Sequence, residues 1–332
     1  MQKRSSSAVD SDFMVALTLR ACAKVNLSLY VTGKRCDGMH DLVSVFASVN
    51  LSDEIHLTVD DGHSASPSDN VMLSISTDCP LIRGQDIPTG SNNLIFKADR
   101  EWRSVHGSLL PLVNYKLHKN IPSLSGLGGG SADCAAVLRG LNFIAEHHLA
   151  TVPLSSDRLD QIALSLGADV PFCLKGGFSL GEGVGENLSP LGTISDTFHI
   201  LLIRPYEGIE TGAAFTEIDK RNSRDITSRN EAVSRCRKLA IALSKGAIED
   251  VASLIHSDFL KPFLDKSSVN KDLFEKIHLM SSGACGLSGS GSVFFALFDD
   301  LSKLSYAKKI ISSWPEVSWI EQTSFADKGV LI

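Results

Sequence analysis

From Val15 to Arg35 apolar and polar positions alternate, through the stretch VALTLRAC and again from Val25 to Val31. A period of two predicts β-strand. Leu42–Leu51 is apolar and β-branched and Glu54–Val59 alternates, so a further pair of strands is expected there. Shorter strands are expected at Val71–Ser76 and Leu112–Leu117. In between, Leu94, Ala98, Trp102 and Val105 recur at helical spacing. Val137, Leu138, Leu141, Ile144 and Ala145 form an i, i+1, i+4, i+7, i+8 stripe, the core face of a second helix. Leu159, Ile162, Ala163 and Leu166 mark a third, with Ser155 placed to cap it and Gly167 to close it. Strands giving way to paired helices predict an α+β chain rather than repeating βαβ units.

The pattern restarts at Thr197. Phe198–Ile203 reads as a strand, Thr211–Phe215 as a short helix, and Ala240–His256 and Lys271–Met280 as helices. Charged residues of both signs fill 216–238, a solvated face. Val293–Phe298 is a buried strand by composition, Ser302–Ser313 a helix, and a strand surrounds Trp319. This second half has a ferredoxin-like character. The 332 residues, 43% hydrophobic, suit about two domains. Their expected bounds are 15–190 and 191–332, the last strand being free to return to the first domain.

Charge and cysteine usage narrow the class. A net charge of −6 speaks against nucleic acid as a partner, because a phosphate backbone needs a positive surface. The seven cysteines are scattered without a C-x-x-C pair, so no metal site is expected and reduced thiols in a cytoplasmic protein are. No stretch approaches the ~20 apolar residues of a membrane span, and Phe13–Leu17 is too short for a signal sequence. Residues 1–12 read as a frayed extension and 60–70 as turn. Oligomeric state is not legible.

The richest chemistry lies in IPSLSGLGGGSADCAA, Ile121–Ala136. Gly126, Gly128, Gly129 and Gly130 fall within five positions, and a helix-compatible run follows from Ser131. Clustered glycines bring bare N–H groups to a ligand, and a helix starting behind them adds its positive dipole end. Such a loop binds phosphate or another anion; a plain surface turn is the weaker account. A second small-residue run, Gly286–Ser292, precedes a buried strand and suggests close approach by a ligand or by backbone. Lys24 and Asn26 share a face of the first strand, for which the wet side of a sheet is the simpler account. His40, leaving the Gly33–His40 loop, could contact a polar ligand, but an ordinary surface histidine is the simpler account. Asp169, in Gly167–Ala168–Asp169–Val170–Pro171–Phe172, is either an Asx-turn residue or a half-buried carboxylate in need of a partner. The P-loop, G-x-G-x-x-G, H-E-x-x-H and G-x-S-x-G patterns are absent. A phosphate loop, a strand lysine and a carboxylate are the parts that phosphoryl transfer needs.

Pro122–Ala136 resembles the phosphate loop of the galactokinase, homoserine kinase, mevalonate kinase and phosphomevalonate kinase superfamily, and Ser288–Gly291 resembles its C-terminal glycine motif. Ala23–Leu27, Thr32–His40, Gly167–Phe172, Glu182–Glu186 and Pro205–Phe215 narrow the resemblance to the 4-diphosphocytidyl-2-C-methyl-D-erythritol kinases, in the same order from Ala23 to Phe298. The resemblance implies a two-domain small-molecule kinase fold, with an N-terminal domain like that of a ribosomal protein and a ferredoxin-like C-terminal domain. It implies ATP with Mg2+, and phosphorylation of the 2-hydroxyl of a cytidine-diphosphate-linked small molecule of the non-mevalonate isoprenoid pathway. On matching positions Asp169 is the base and Lys24 stabilises charge. Pro122, Ser123, Leu124, Ser125, Gly126, Leu127, Gly128, Gly129, Gly130, Ser131 and Ala132 wrap the ATP phosphates, with Asn93 and Lys119 near the adenine. Asn26, His40, Thr211 and Phe215 line the substrate side, His40 reading the cytosine edge and Phe215 stacking on it. No residue is assigned as a direct metal ligand. Met39 stands where the family has tyrosine, and Leu124 where it favours a small residue. Two rivals are a homoserine- or mevalonate-type kinase, opposed by the Gly38–Met39–His40 loop and Phe215, and a non-catalytic nucleotide- or RNA-binding module. The acidic charge and the presence of both Lys24 and Asp169 oppose the latter.

Overall fold

The computed structural model describes residues 15–60, 71–82, 87–106, 112–148, 152–208, 211–220 and 226–332. Residues 1–12 and most of the expected 60–70 turn lie outside this set. The first half runs β1 (Val15–Lys34), β2 (His40–Asp60), β3 (Val71–Thr77), α1 (Leu94–His106), β4 (Leu112–Lys119), α2 (Gly129–His147), α3 (Ser156–Leu166), α4 (Val170–Lys175), β5 (Phe178–Gly183) and β6 (Asn187–Pro190). The second runs β7 (His199–Pro205), α5 (Thr211–Asp219), α6 (Arg229–Lys245), α7 (Ile248–Leu254), β8 (His256–Ser257), α8 (Leu260–Asp265) and α9 (Ser268–Met280). It continues with β9 (Cys285–Leu287), β10 (Phe294–Phe298), α10 (Leu301–Ile311), β11 (Val317–Thr323), β12 (Phe325–Ala326) and β13 (Val330–Leu331).

Among the described residues the strands form two sheets. The larger has the path β13-β1-β2-β4-β3, with β5 and β12 also on β2, β6 on β5 and β8 on β1. The smaller is β11-β7-β10-β9. The two strands expected at Leu42–Leu51 and Glu54–Val59 are one, β2. The register against β1 shifts between the pairs Cys22↔Ser52 and Ala23↔Val49, so Asn50 and Leu51 are taken up as a bulge instead of ending the strand. The chain's last strands return to the first sheet, β13 pairing with Arg20 and Ala21 of β1 and β12 with Ser48 and Val49 of β2.

Helix α2 is the centre of the first half. Its predicted stripe is buried throughout, packed with Leu19, Ile55, Leu57, Trp102 and Tyr115. A second core cluster joins the two sheets: Val25, Leu27, Val45 and Val49 meet Ile200, Leu202 and Phe295. Helix α6 begins inside the charged stretch, well before Ala240. Ser228 accepts from the backbone N–H of Glu231 and caps it. The apolar run after Asp169 is helical too, with Pro171 in the first turn of α4. Among the described residues no helix is long and apolar enough to cross a membrane.

Candidate active site

Lys24 and Asn26 lie mid-strand on β1, and neither is wet: Lys24 is 3% and Asn26 2% exposed. The cover comes from far along the chain. Leu127 of the glycine loop accepts from the backbone N–H of Lys24 at 2.9 Å. Gly128 adopts φ +71°, and a Cβ there would sit 2.9 Å from Lys24 Cγ. The second glycine run closes the other side. Ser288 Oγ accepts from the Asn26 N–H at 3.2 Å and donates to the Gly126 carbonyl at 2.9 Å. The close approach anticipated for that run is made to backbone by Ser288, while Gly289–Gly291 border an open cleft.

Inside this cover Lys24 Nζ donates to Asn26 Oδ1 at 2.6 Å and pairs with Asp169 Oδ2 at 3.2 Å. The Asn26 amide is oriented by a directional chain. Its Nδ2 donates to Ser44 Oγ, which donates to the Ser28 carbonyl, each at 2.8 Å. Asp169 occupies the N-cap position of α4 but makes no side-chain bond to that helix. The Asx-turn account therefore fails, and the carboxylate faces Lys24 with about a third of its side-chain surface open.

Both residues line a cleft of about 930 Å³, together with Asn93, Lys119, Pro122–Gly126 and Gly128–Ser131. Helix α2 starts at Gly129, two residues before the expected Ser131, and among the described residues no side chain caps it. Its free N–H groups open onto the cleft, an arrangement suited to an anion. Leu127 and Ala132, also expected at the phosphates, turn their side chains into the core. Leu124 is exposed, with φ +51°.

Under the loop lies a buried ion cluster that sequence reasoning did not assemble. Lys119 donates to Asp133 Oδ2 at 2.8 Å and makes a short contact with Asp53 Oδ2. Asp53 Oδ1 accepts from the backbone N–H groups of Asn120 and Ile121, which tethers the strand that delivers the loop. Burial alone would lower the Lys119 pKa, but the two carboxylates outweigh it and raise it. Burial drives the Asp133 carboxyl upward, and its Oδ1 has no hydrogen-bond partner among the described residues. Asn93 spends its side chain locally, accepting from Ile95 N–H and donating to the Pro88 carbonyl at the start of α1.

At the other end of the cleft stand Lys34, Met39, His40, Phe215 and Asp219. His40 stacks on Phe215 with centroids 4.7 Å apart and planes 27° from parallel, and the edge of Phe259 backs Phe215. Thr211 opens α5, but its side chain lies outside the described residues. One cleft thus holds an anion-binding helix terminus, a buried lysine–carboxylate pair and an aromatic end.

Comparison with known proteins decides between the kinases that this geometry admits. Residues 93–177 match the family described as the GHMP kinases N terminal domain. The chain is 33% identical to the 4-diphosphocytidyl-2-C-methyl-D-erythritol kinase of Caldanaerobacter subterraneus subsp. tengcongensis, over 87% of this chain and 90% of that protein. It is 31% identical to the enzyme of the same name from Synechococcus sp., over 96% and 97%. The chain belongs to the 4-diphosphocytidyl-2-C-methyl-D-erythritol kinase family. A crystal structure of such a kinase superimposes with a TM-score of 0.64 at 24% identity, covering 93% of this chain and 99% of that one. Homoserine kinase from Cytophaga hutchinsonii gives 0.69 at 18% identity, covering 100% and 99%. The backbone is thus the α+β fold common to the superfamily, and the fold alone does not separate its members; the sequence does.

Lys34, Asp219, Asp133 and Ser288 were not among the site residues expected from sequence. The Ser288–Gly291 motif was a signal for the last. Asp219 gave none, being one charge in a mixed run.

Proposed function

We propose that the cleft transfers the γ-phosphoryl group of ATP to the 2-hydroxyl of 4-diphosphocytidyl-2-C-methyl-D-erythritol, the substrate in the family's name. The observation carrying this reading is the Lys24–Asp169 pair, 3.2 Å apart, sharing one cleft with the uncapped start of α2. The triphosphate lies along Pro122–Ser131, held by backbone N–H groups, with the adenine toward Asn93 and Lys119. Asp169 takes the hydroxyl proton as the substrate oxygen attacks the γ-phosphorus, and the bond to the β-phosphate oxygen breaks to release ADP. Lys24, held by Asn26, faces the reacting oxygens and stabilises the charge that develops on them. The substrate's cytidyl group occupies the aromatic end, near Thr211, His40 and Phe215, and its 2-hydroxyl end lies toward Asn26.

Among the described residues no cluster of three or more His, Cys, Asp or Glu side chains is arranged to hold a metal. Such sparse donors suit magnesium, which keeps its waters and leans on phosphate oxygens with one or two carboxylates. Ser131, which lines the cleft at the start of α2, would hold such an ion together with phosphate oxygens, and the ion would neutralise phosphate charge.

The test is ADP release by the purified protein with ATP, magnesium and the cytidyl substrate, with homoserine and mevalonate failing to replace it. Asp169→Asn is expected to lower kcat by about 10²–10⁴-fold while calorimetry shows ATP binding retained. Normal turnover by that variant would remove Asp169 as the base.

A further inference from the structure

Helix α5 carries Phe215 and Asp219 one turn apart, so both reach the residue that the β1–β2 loop delivers between them. That residue is His40. Its ring lies on Phe215, and its Nε2 is 2.7 Å from Asp219 Oδ1. Lys34 Nζ donates to the other oxygen, Oδ2, at 2.6 Å. The imidazole is therefore held on one face and on one edge. Its Nδ1 has no hydrogen bond within the protein among the described residues. The 4.7 Å centroid separation is that of an offset stack, which leaves part of the Phe215 face open to a second ring in the imidazole's plane.

The chemistry of this grip is directional. An ionised carboxylate only accepts, so the Nε2 facing Asp219 must carry the proton. The hydrogen bonds from Lys34 and His40 hold the Asp219 carboxyl below its usual range, in the ionised form. With the proton on Nε2, the neutral ring presents a lone pair at Nδ1. We propose that Asp219 is a positioning residue which, by fixing this tautomer of His40, makes the site select cytosine over uracil. The 4-amino group of cytosine donates a hydrogen bond to Nδ1, whereas the 4-carbonyl of uracil sets one lone pair against another. The opposite tautomer would reverse the preference. This rests on the reading above that His40 meets the edge of the base. A purely structural role explains little, because an exposed ion pair such as Lys34–Asp219 contributes marginally to stability.

Two measurements test it. Long-range 1H–15N spectra of the histidine rings, with the His40 signals identified by His40→Gln, are expected to show Nε2–H in the wild type and tautomer mixing in Asp219→Ala. Kinetics compare the cytidyl substrate with its uridyl counterpart. Asp219→Ala is expected to raise KM for the cytidyl substrate by about 10- to 100-fold, with kcat nearly unchanged, and to erode the cytidyl-over-uridyl ratio of kcat/KM by a similar factor. Asp219→Asn, whose amide oxygen still accepts from Nε2, retains most of the ratio. A wild-type ratio in Asp219→Ala, or Nδ1–H in the wild type, overturns the role of Asp219 while leaving the kinase reading intact. If the wild type phosphorylates neither substrate, the kinase reading falls and the cytosine assignment with it.

Discussion

Replacing Gly126 by alanine tests how the phosphate loop is seated. Gly126 has φ +77°, and a Cβ there would lie 2.1 Å from the backbone carbonyl oxygen of Ser288. Ordinary contact begins near 3.4 Å, so the two loops must part by roughly 1 Å. A left-handed backbone costs an L-residue about 1–2 kcal/mol and overpacking about 1–3 kcal/mol more, for a total of about 2–5 kcal/mol. The movement also breaks into the Ser288 Oγ bridge between Gly126 and Asn26, and so reaches Lys24. A misplacement of about 1 Å costs on the order of 10²-fold in rate. Gly130→Ala supplies the contrast within the same loop. Its Cβ would meet only Leu94 Cδ1, at 3.5 Å, from a helical position. There alanine is expected to stabilise by about 0.5–1 kcal/mol. Urea titration of the ligand-free proteins, followed by ADP release, reads both quantities. If Gly126→Ala kept wild-type stability, or if both variants lost it equally, the tight seating of the loop on Ser288 would be refuted.

The buried ions give a second expectation. Lys119→Met leaves Asp53 and Asp133 facing each other without a cation, an expected loss of about 3–5 kcal/mol in urea titrations. Because burial raises the Asp133 carboxyl, the folded protein holds a proton that the unfolded chain releases. Its stabilising share is complete at acid pH and is lost as pH rises out of the ordinary carboxylate range. Removing Lys119 should raise the Asp133 carboxyl further and carry that decline to higher pH; an unchanged pH profile would count against it. Ser44→Ala removes the hydroxyl that orients the Asn26 amide, and is expected to cost about 1 kcal/mol of stability. It should also lower kcat several-fold with KM for ATP unchanged; an equal rise in that KM would point instead to general disruption of the loop.

Locally encoded features were readable from the chain alone. The α2 stripe, the Ser155 cap of α3 and the glycine loop each depend on neighbours within a few positions, and all are present. The motifs also placed the chain among cytidyl-linked alcohol kinases, a reading that the full-length relatives support. Where the reading stopped, the deciding contact came from far along the chain. Ser52 and Asp53 read as a break between two strands, but both pair with β1, which absorbs Asn50 and Leu51 as a bulge. Lys24 and Asn26 alternate like any half-wet strand, and only the arrival of Leu127 and Ser288 buries them. Asp169 could have satisfied itself locally; it is the nearness of Lys24 that turns its carboxylate into the cleft.

The sequence by itself determined which groups this protein owns: a loop whose backbone can face an anion, a strand lysine, a carboxylate after a helix. Backbone propensity and side-chain chemistry act over a few residues, so a few residues suffice to read them. The tertiary structure alone decided which of these groups are dry, which are paired and which way each points. Burial and hydrogen-bond direction are set by segments that meet in space, as Asp219 meets His40 and Asp53 meets Lys119.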